Sequence, residues 1–331
     1  MPTRELLRLT KSGLYCEQGD FYIDPTRRVA RAVITHAHGD HARWGMGRYL
    51  CSTLGKGPLR ARLPDMLIDS LDYGEPTILN GVRLSLHPAG HILGSAQVRC
   101  EYRGEVAVVS GDYKCEAEPT TTSFEPLLCH TFVTESTFAL PIYRWESQAV
   151  VANQINSWWR ENQAAGRASL LTGYSLGKAQ RLLACLDPSI GPIFEHGAVE
   201  TMSNVYRAAG ISLPDTLRPP DMPARYDWSQ AMIVAPPSVT GTPWVRRFGD
   251  HATAFASGWM AIGGWQRRSA AGQGFVLSDH ADWPALLETV RATGADEVWI
   301  THGYAATLAR YLHEQGVNAT EMTATMGADD A

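Results

Sequence analysis

A short segment dense in metal-binding side chains lies near the start of the chain. The apolar, β-branched pair Val33 and Ile34 comes first, and four such side chains follow within residues 36–41: His36, His38, Asp40 and His41. Side chains at i and i+2 of an extended chain point the same way, so His36 and His38 could hold one ion. The turn at Gly39 would direct Asp40 and His41 toward a second. Imidazole and carboxylate without thiolate favour catalytic zinc, manganese or iron over a closed structural zinc, whereas the alternative is a surface loop that binds nothing.

Single ligand-type residues recur at the ends of other predicted strands. They are Asp24 before a proline, His91 in PAGHILGS, Asp112 after Ser-Gly, Glu135 in TEST, His280 in LSDHAD and His302 in THG. Strand ends place such residues on one rim of a sheet, where loops carry chemistry on a rigid scaffold. Taken singly, each could be a turn or helix-start residue bonded to backbone. Taken together, they predict a metal centre assembled from distant parts of the chain.

These motifs resemble the metallo-β-lactamase fold and, within it, the β-CASP nuclease branch. The HxHxDH box, the PAGHILGS histidine and the SGD aspartate form the lactamase-type part, which glyoxalases, lactamases and arylsulfatases share. Glu135, His280 and His302 resemble the branch's motifs A, B and C. GYSLGKAQRLL at 173–183 resembles the helix start of its inserted domain. The resemblance spans most of residues 20–305 and implies an α/β protein: an αββα sandwich with an inserted α/β domain.

Within that branch, several segments are most similar to the bacterial ligase-associated DNA exonucleases. They are GLYCEQGDFYIDP, THAHGDHARWG, SGWM, LSDHADWPALL and WITHGY. This similarity implies a DNA substrate, a role in DNA repair and functional association with a DNA ligase and a helicase. One residue keeps an RNA substrate open. The crosslink-repair DNA nucleases of the branch generally replace the motif C histidine, whereas His302 is retained here, as in the RNA-processing members.

The resemblance implies two divalent metal ions, with zinc favoured and manganese as the alternative. One ion would be held by His36, His38 and His91, the other by Asp40, His41 and His302, and Asp112 would bridge them. Two cations about 3.5–4 Å apart can lower the pKa of a water and clamp both reacting oxygens of a phosphodiester.

The same resemblance implies roles for three carboxyl and imidazole groups around the metals. His280 would be the general acid that protonates the departing sugar oxygen. Glu135 would orient the His280 ring and favour its cationic form. Asp24 would orient the histidine box without binding metal, as carboxylates behind metal ligands commonly do.

Candidate substrate contacts fall in the second half of the chain. Ser175 and Lys178 lie at a predicted strand-to-helix turn and could offer backbone amides and a cation to phosphate. The alternative is a helix cap with a solvated lysine. Ser257 and Trp259 precede His280 near Arg267 and Arg268, and the tryptophan could stack on a base. The alternative is that Trp259 belongs to the core.

The order of predicted elements sets the domain organisation. Short strands at 6–9, 21–23 and 31–34 indicate a meandering sheet, and a hairpin is predicted around Arg103 and Gly104. From about residue 141, strands alternate with helices, as in a parallel α/β unit. After residue 275 the pattern of strand followed by ligand returns. We therefore expect a first domain in two pieces, 1–140 and 271–331, with an inserted domain at 141–270.

Composition bounds the class of protein. With 331 residues, 44% apolar and 19% charged, the chain can bury a sizeable core. The net charge of −5 argues superficially against a polyanionic partner, but arginines cluster at 27–31, 43–48, 56–62, 246–247 and 267–268. Each cluster could equally be a solvated surface. The six cysteines form no C-x-x-C pair and predict reduced thiols rather than ligands.

No apolar run approaches the ~20 residues of a membrane span, and charges interrupt the leucines of the first 15 residues. We therefore expect a cytoplasmic address without membrane association. Three alternatives to the DNA exonuclease stay open: a β-CASP ribonuclease, a small-molecule esterase or thioesterase on the same scaffold, and an inactive nucleic-acid-binding subunit. The last is disfavoured because no metal-type position is replaced.

Overall fold

The chain forms two compact units. A computed structural model describes residues 6–262 and 272–322. The first unit joins Met1–Arg144 to His280–Ala331, and the second is Trp145–Asp279. The structural boundaries therefore lie later in the chain than those expected at 140/141 and 270/271. As a result, the second unit runs up to the residue before His280.

Six strands build the first sheet of unit 1, in the order β1-β2-β3-β4-β5-β6. They are β1 (Arg8–Thr10), β2 (Gly13–Cys16), β3 (Phe21–Ile23), β4 (Arg31–Val33), β5 (Arg48–Ser52) and β6 (Ile68–Leu71). The first three strands pair antiparallel, but β3 through β6 pair in parallel, so the predicted meander is wrong beyond β3. Parallel neighbours need a crossover. The histidine-rich segment lies in the crossover from β4 to β5, and helix α1 (Thr53–Arg62) forms the next one.

Seven strands build the second sheet of unit 1, in the order β18-β17-β11-β10-β9-β8-β7. They are β7 (Pro76–Leu79), β8 (Val82–Pro88), β9 (Ala96–Tyr102), β10 (Glu105–Val109), β11 (Thr131–Glu135), β17 (Glu297–Thr301) and β18 (Ala319–Glu321). The hairpin predicted at Arg103 and Gly104 is confirmed, since β9 and β10 pair antiparallel around it. Strands β11 and β17 are parallel neighbours with Glu135 opposite Thr301. This register brings Glu135 and the residue after Thr301 to the same rim.

Alternate residues of the second sheet face two separate cores. Val109 packs toward the first sheet with residues such as Phe21. Its neighbour Val108 packs on the opposite side, in the core to which α5 (Trp283–Thr293) and α6 (Ala305–Glu314) contribute. Successive strand residues point to opposite faces, so the apolar run in β10 suits a sheet covered on both sides. With α1 against β5 and β6, the layers of unit 1 are helix, sheet, sheet and helix.

Unit 2 is built on a parallel sheet with the strand order β13-β14-β12-β15-β16. Its strands are β12 (Ala168–Thr172), β13 (Ile193–Glu195), β14 (Met232–Ala235), β15 (His251–Ala256) and β16 (Gln273–Phe275), and its helices are α2 (Gln148–Ala164), α3 (Lys178–Cys185) and α4 (Gly197–Ala208). Leu171 and Leu170 belong to the cores on opposite faces of this sheet. The predicted parallel α/β unit is therefore confirmed. None of the helices in the described part of the chain combines the length and apolar character that a bilayer crossing needs.

Candidate metal centre

Asp24 fixes the histidine-rich segment behind the rim. Its Oδ1 accepts the backbone N–H of Thr35 at 2.8 Å, and its Oδ2 accepts the Thr35 hydroxyl at 2.5 Å. The same Oδ2 lies 2.7 Å from Nδ1 of His41, which donates to it. A proton held on Nδ1 leaves the lone pair of His41 on Nε2, the atom that would bind a metal. This is the contact expected of a carboxylate that orients a metal-binding histidine.

Two glycines allow the rim residues to approach one another. Gly111, before Asp112, has φ +59°, and a Cβ there would lie 2.6 Å from Cβ of Thr35. Gly303, after His302, has φ +60°, and a Cβ there would lie 2.4 Å from the carbonyl oxygen of Ser136. Both positions therefore require glycine, for backbone conformation and for space. The Ser-Gly-Asp and Thr-His-Gly motifs place their polar residues through this close approach.

Three histidines and one aspartate converge at the rim. Nε2 of His36 and Nε2 of His91 each lie 3.1 Å from Nδ1 of His38. Oδ2 of Asp112 lies 3.6 Å from His36 Nε2 and 3.7 Å from His91 Nε2. One ligand atom from each of the four residues falls within 4.8 Å of all the others. Tetrahedral zinc with bonds of 2.0–2.1 Å separates its ligand atoms by about 3.3 Å, so this donor set fits a metal ion.

A second group of ligands flanks Asp112 but is more open. His41 Nε2 lies 3.5 Å from Asp112 Oδ2 and 3.8 Å from Asp40 Oδ2. The ring of His302 stacks on that of His41, with 5.4 Å between centroids. Within residues 6–262 and 272–322, Asp40 and His302 do not join a set whose ligand atoms all lie within 4.8 Å. The structure thus brings the first predicted ligand set together more tightly than the second.

One buried nitrogen of the second group is suited to bind a cation. Nε2 of His41 is buried and has no hydrogen-bond partner among the described residues. A buried polar atom left without a partner costs about 1–3 kcal/mol. A cation bound by this nitrogen would satisfy it. The residues present therefore also fit a second metal ion.

The pKa shifts of His36 and Asp112 favour the deprotonated forms that metal binding needs, whereas that of His41 favours the protonated ring, from which a bound cation must displace a proton. Burial lowers the pKa of His36 well below its usual value, so the ring is neutral. Burial would also lower the pKa of His41, but the carboxylates of Asp112 and Asp24 outweigh it and raise that pKa well above its usual value. For Asp112, burial would raise the pKa, yet His41 and then His280 hold it well below its usual range. Asp112 is therefore an anion among imidazoles.

His280 is held by a buried carboxylate. Its Nδ1 lies 2.9 Å from both carboxylate oxygens of Glu135 and 4.0 Å from Asp112 Oδ2. The Glu135 side chain is 1% exposed, whereas that of His280 keeps 21%. Glu135 also accepts the backbone N–H of Tyr113 at 2.8 Å, which fixes the carboxylate. Asp112, Glu135 and His280 also form a group of possible ligand atoms within 4.8 Å, so metal binding is the alternative to proton donation for His280.

A cavity of about 420 Å³ opens beside these groups. Its polar lining includes Asp24, Asp40, His41, Asp112, Glu135 and His302, and Arg43 lies on its wall. The cysteines lie elsewhere: five are buried, and burial raises the pKa of Cys51 to about 12. This agrees with the expectation that they are thiols of the fold and not ligands.

Comparison with known proteins places this site in a family, although no protein-family model matches the chain. A probable DNA ligase from Opitutus terrae is 34% identical over 318 residues, which cover 93% of this chain and 30% of that protein. Cleavage and polyadenylation specificity factor 73 of Drosophila melanogaster is 25% identical over 181 residues, 52% of this chain and 26% of that protein. Endoribonuclease YSH1 of Saccharomyces cerevisiae is 29% identical over 122 residues, 36% of this chain and 15% of that protein.

The chain belongs to the β-CASP branch. The resemblance predicted from the motifs is thereby confirmed, and the chain spans less than a third of each of these relatives. A crystal structure of a protein of unknown function from Enterococcus faecalis V583 superposes with a TM-score of 0.60 at 11% identity. It covers 90% of this chain and 80% of that one, and at such low identity it bears on the fold alone.

Sequence reasoning missed one residue of this β-CASP site. Arg62 is the last residue of α1. Its guanidinium Nη1 donates to the carbonyl oxygens of Ala37 at 2.6 Å and Ala42 at 3.3 Å. These carbonyls bracket the turn that carries Asp40 and His41. A guanidinium bonded on both sides of a turn restricts its backbone. The only signal in the sequence was an arginine in a basic stretch, which did not reveal its partners.

Lys178 differs from its predicted role in the inserted unit. Its ammonium is buried, donates to the carbonyl of Leu277 at 2.6 Å and pairs with Oδ1 of Asp279 at 2.9 Å. The ammonium is therefore bonded within unit 2 and is not the solvated lysine of the alternative. Ser175 is half-buried, and its carbonyl accepts a hydrogen bond from Gln180 at 3.1 Å. The carbonyl of Ser175 is thus bonded within the unit, and the contact with phosphate expected of its backbone amide stays a prediction.

The second pair of predicted substrate residues lies at a short 3₁₀ turn. Ser257 is buried, and its hydroxyl accepts the backbone N–H of Trp259 at 3.3 Å, so it caps the turn. Trp259 is half-buried. Arg267 and Arg268 lie outside the described residues. The hydroxyl of Ser257 therefore caps the turn, and the substrate contacts expected of Ser257 and Trp259 stay predictions.

Proposed function

We propose that the chain is a dimetal phosphodiesterase with the metallo-β-lactamase and β-CASP architecture, and that it shortens DNA from its ends in DNA repair. The observation that carries the proposal is the convergence of His36, His38, His91 and Asp112 beside the His280–Glu135 pair. Metal-dependent hydrolysis of a phosphodiester requires ligands for the metal and a positioned imidazole to protonate the leaving oxygen, and this rim offers both. The probable DNA ligase among the relatives supports DNA as the substrate and a ligase as a functional partner.

The ligand assignment follows the two groups of donors. His36, His38, His91 and Asp112 would hold one cation, and Asp40, His41 and His302 would hold the other with Asp112 shared. When bound, the two cations supply Lewis acidity that readies a water and stabilises charge on the phosphoryl oxygens. Zinc is the favoured metal because imidazole and carboxylate suit it, and manganese is the alternative.

The protein's own groups handle the proton of the leaving oxygen. Water attacks phosphorus, the bond to the sugar oxygen breaks, and that oxygen must gain a proton. Glu135 holds Nδ1 of His280 at 2.9 Å, so Nε2 is the nitrogen placed to donate it. An imidazole paired with an anion is more readily protonated, and the buried Glu135 supplies that anion. General acid catalysis of this kind contributes about 10²–10⁴-fold to the rate.

An RNA substrate is the second candidate, and the relatives named as endoribonucleases favour it. None of the six cysteines, all of them within the described residues, forms a disulfide, which suits a reducing compartment such as the cytoplasm for either substrate. A repair exonuclease removes deoxyribonucleotides from DNA ends, whereas an endoribonuclease cuts within an RNA chain. Labelled substrates separate them.

The test uses DNA and RNA of matched sequence, labelled at either end, with zinc or manganese. We expect progressive shortening of DNA by the wild type, loss of most of the rate in His280→Ala, and normal activity in His313→Ala, whose exposed histidine lies in α6. Cleavage of RNA alone would refute the DNA substrate and support the ribonuclease. Hydrolysis of nitrocefin or a thioester without cleavage of nucleic acid would refute both.

A further inference from the structure

An exposed basic and aromatic surface borders the cavity in unit 1. We call it the arginine surface and define it by Arg27, Arg28, Arg43 and Trp44, all of them exposed. It consists of the turn after β3 and the segment that follows the metal-ligand residues. The two segments are tied together, because Gly47 N–H donates to the carbonyl of Val29 at 2.9 Å.

Side-chain positions bring the two segments into one surface. Arg28 lies across Gly45, so closely that a Cβ at Gly45 would be 2.9 Å from its Nε. Thr26, adjacent to Arg27, and Arg43 both line the cavity that holds Asp112 and the rest of the metal-ligand rim. The arginine surface therefore begins at the cavity wall and continues onto the exterior of unit 1.

The arginines of this surface differ from their neighbours in lacking partners. Arg31 pairs with Asp20 at 3.6 Å, and Arg48 pairs with Asp69 at 2.5 Å. Across residues 6–262 and 272–322, Arg27, Arg28 and Arg43 have neither a carboxylate within 4.0 Å nor a side-chain hydrogen bond. A guanidinium group without a partner in the protein has all of its N–H donors and its positive charge available to an external anion. Phosphate is the anion that their planar, forked geometry binds best.

Trp44 adds a flat apolar face to these charges. Trp44 is 50% exposed, which is unusual for tryptophan, the largest apolar residue. It directly follows Arg43 in the sequence. An aromatic face among cations is the combination that binds single strands, since bases stack on the ring while phosphates meet the charges. Such a surface does not discriminate among bases, because every base has a stacking face.

We propose that the arginine surface binds the single-stranded stretch of nucleic acid that adjoins the scissile phosphodiester. This inference rests on the proposed function and names the path by which the polymer reaches the cavity. Arg43 binds the phosphate nearest the cavity, Arg27 and Arg28 bind phosphates farther along the strand, and the indole of Trp44 stacks on a base between them. It explains how a chain with a net charge of −5 binds a polyanion.

The test measures binding in a His280→Ala background, so that the strand is not degraded. Fluorescence anisotropy with labelled oligo-dT and oligo-U is recorded at several salt concentrations for Arg28→Ala/Arg43→Ala. The matched control is Arg31→Ala/Arg48→Ala, which removes the same charge from the paired neighbours. We expect the log–log salt slope to fall by about 1.4 in the first variant, at ~0.7 per phosphate contact, and to change much less in the control. Trp44→Ala should weaken binding about 5- to 150-fold, with rescue by Trp44→Phe.

The outcomes distinguish the surface from the function. If the parent protein binds strands and both double variants bind alike, the arginine surface is wrong while the nuclease proposal stands. If the parent binds neither polymer and the wild type cleaves neither, both proposals fail. Circular dichroism of every variant shows that the loss is not unfolding. Binding of only oligo-dT or only oligo-U, lost in the first variant alone, supports the surface and identifies the sugar.

Discussion

Replacing Asp24 by asparagine tests how the metal site is organised from behind. Asp24 accepts the His41 Nδ1 proton at 2.7 Å and the Thr35 hydroxyl at 2.5 Å through a single oxygen, Oδ2. Asparagine keeps the shape and tolerates the left-handed backbone at φ +45°. Its amide can accept from the Thr35 N–H, but its NH₂ group then faces His41. The imidazole would have to place its proton on Nε2, where it could no longer bind a cation.

The magnitude follows from what such carboxylates contribute elsewhere. Loss of the group that orients a metal-binding histidine weakens metal affinity about 10- to 100-fold. That factor corresponds to about 1.4–2.7 kcal/mol of binding free energy. We expect the loss mainly in the second cation, because His36, His38 and His91 do not contact Asp24. The free energy of unfolding of the metal-free protein should fall by about 1–2 kcal/mol as hydrogen bonds to a charged group are lost.

Competition with a chromophoric chelator and elemental analysis measure the affinity and the metal content per chain. Asp20→Asn is the matched control, because Asp20 also has a positive φ, at 53°, and accepts a hydrogen bond from Tyr15 at 3.0 Å. It lies on the surface and should leave both cations bound. Equal metal affinity in Asp24→Asn and the wild type would refute the assignment of His41 Nε2 as a ligand oriented by Asp24.

Three further changes address other parts of the molecule. His280→Ala should keep both metals by elemental analysis, yet its hydrolysis rate should fall about 10²–10⁴-fold. His302→Ala should instead lose metal. Metal loss in His280→Ala would show that His280 is a ligand. Arg62→Ala should lower metal affinity by loosening the turn that it caps, and unchanged affinity relative to the exposed neighbour variant Arg60→Ala would contradict this. Lys178→Met should lower the free energy of unfolding by about 3 kcal/mol, measured with urea, because the buried carboxylate of Asp279 loses one of its positive partners. An unfolding midpoint equal to that of the wild type, together with weaker substrate binding, would instead support the phosphate contact predicted for Lys178.

Local patterns predicted much of the scaffold. The Arg103-Gly104 turn predicts a hairpin, and β9 (Ala96–Tyr102) is its first strand. The residues from Asp282 onward predict a helix, and α5 begins at the next residue, with Asp282 accepting the backbone N–H of Ala285 at 3.1 Å as its cap. Such signals are readable because the side chain bonds to backbone only a few residues away.

Other features depend on partners that no local pattern contains. Helix α1 carries Pro58 and two glycines, which disfavour a helix in the sequence. It forms because Ser52 caps it and Leu59 is buried beneath it. The sequence around Lys178 indicates an exposed cation, because its partner Asp279 lies about 100 residues farther along the chain. The candidate ligands could be identified from their motifs, but their separation into a tight and an open group follows from distances set by the whole sheet.

The parallel pairing of β11 with β17 has a consequence for how the protein is synthesised and folded. Strand β17 is translated only after all of Trp145–Asp279, yet it lies beside a strand that ends at Glu135. During synthesis, a nascent chain can acquire His36, His38, His91 and Asp112 long before His280 leaves the ribosome. Folding that must wait for so distant a segment is slow. A nascent polypeptide that has not reached residue 280 would thus lack the proposed proton donor, and the proposed hydrolysis would depend on the segment from His280 onward.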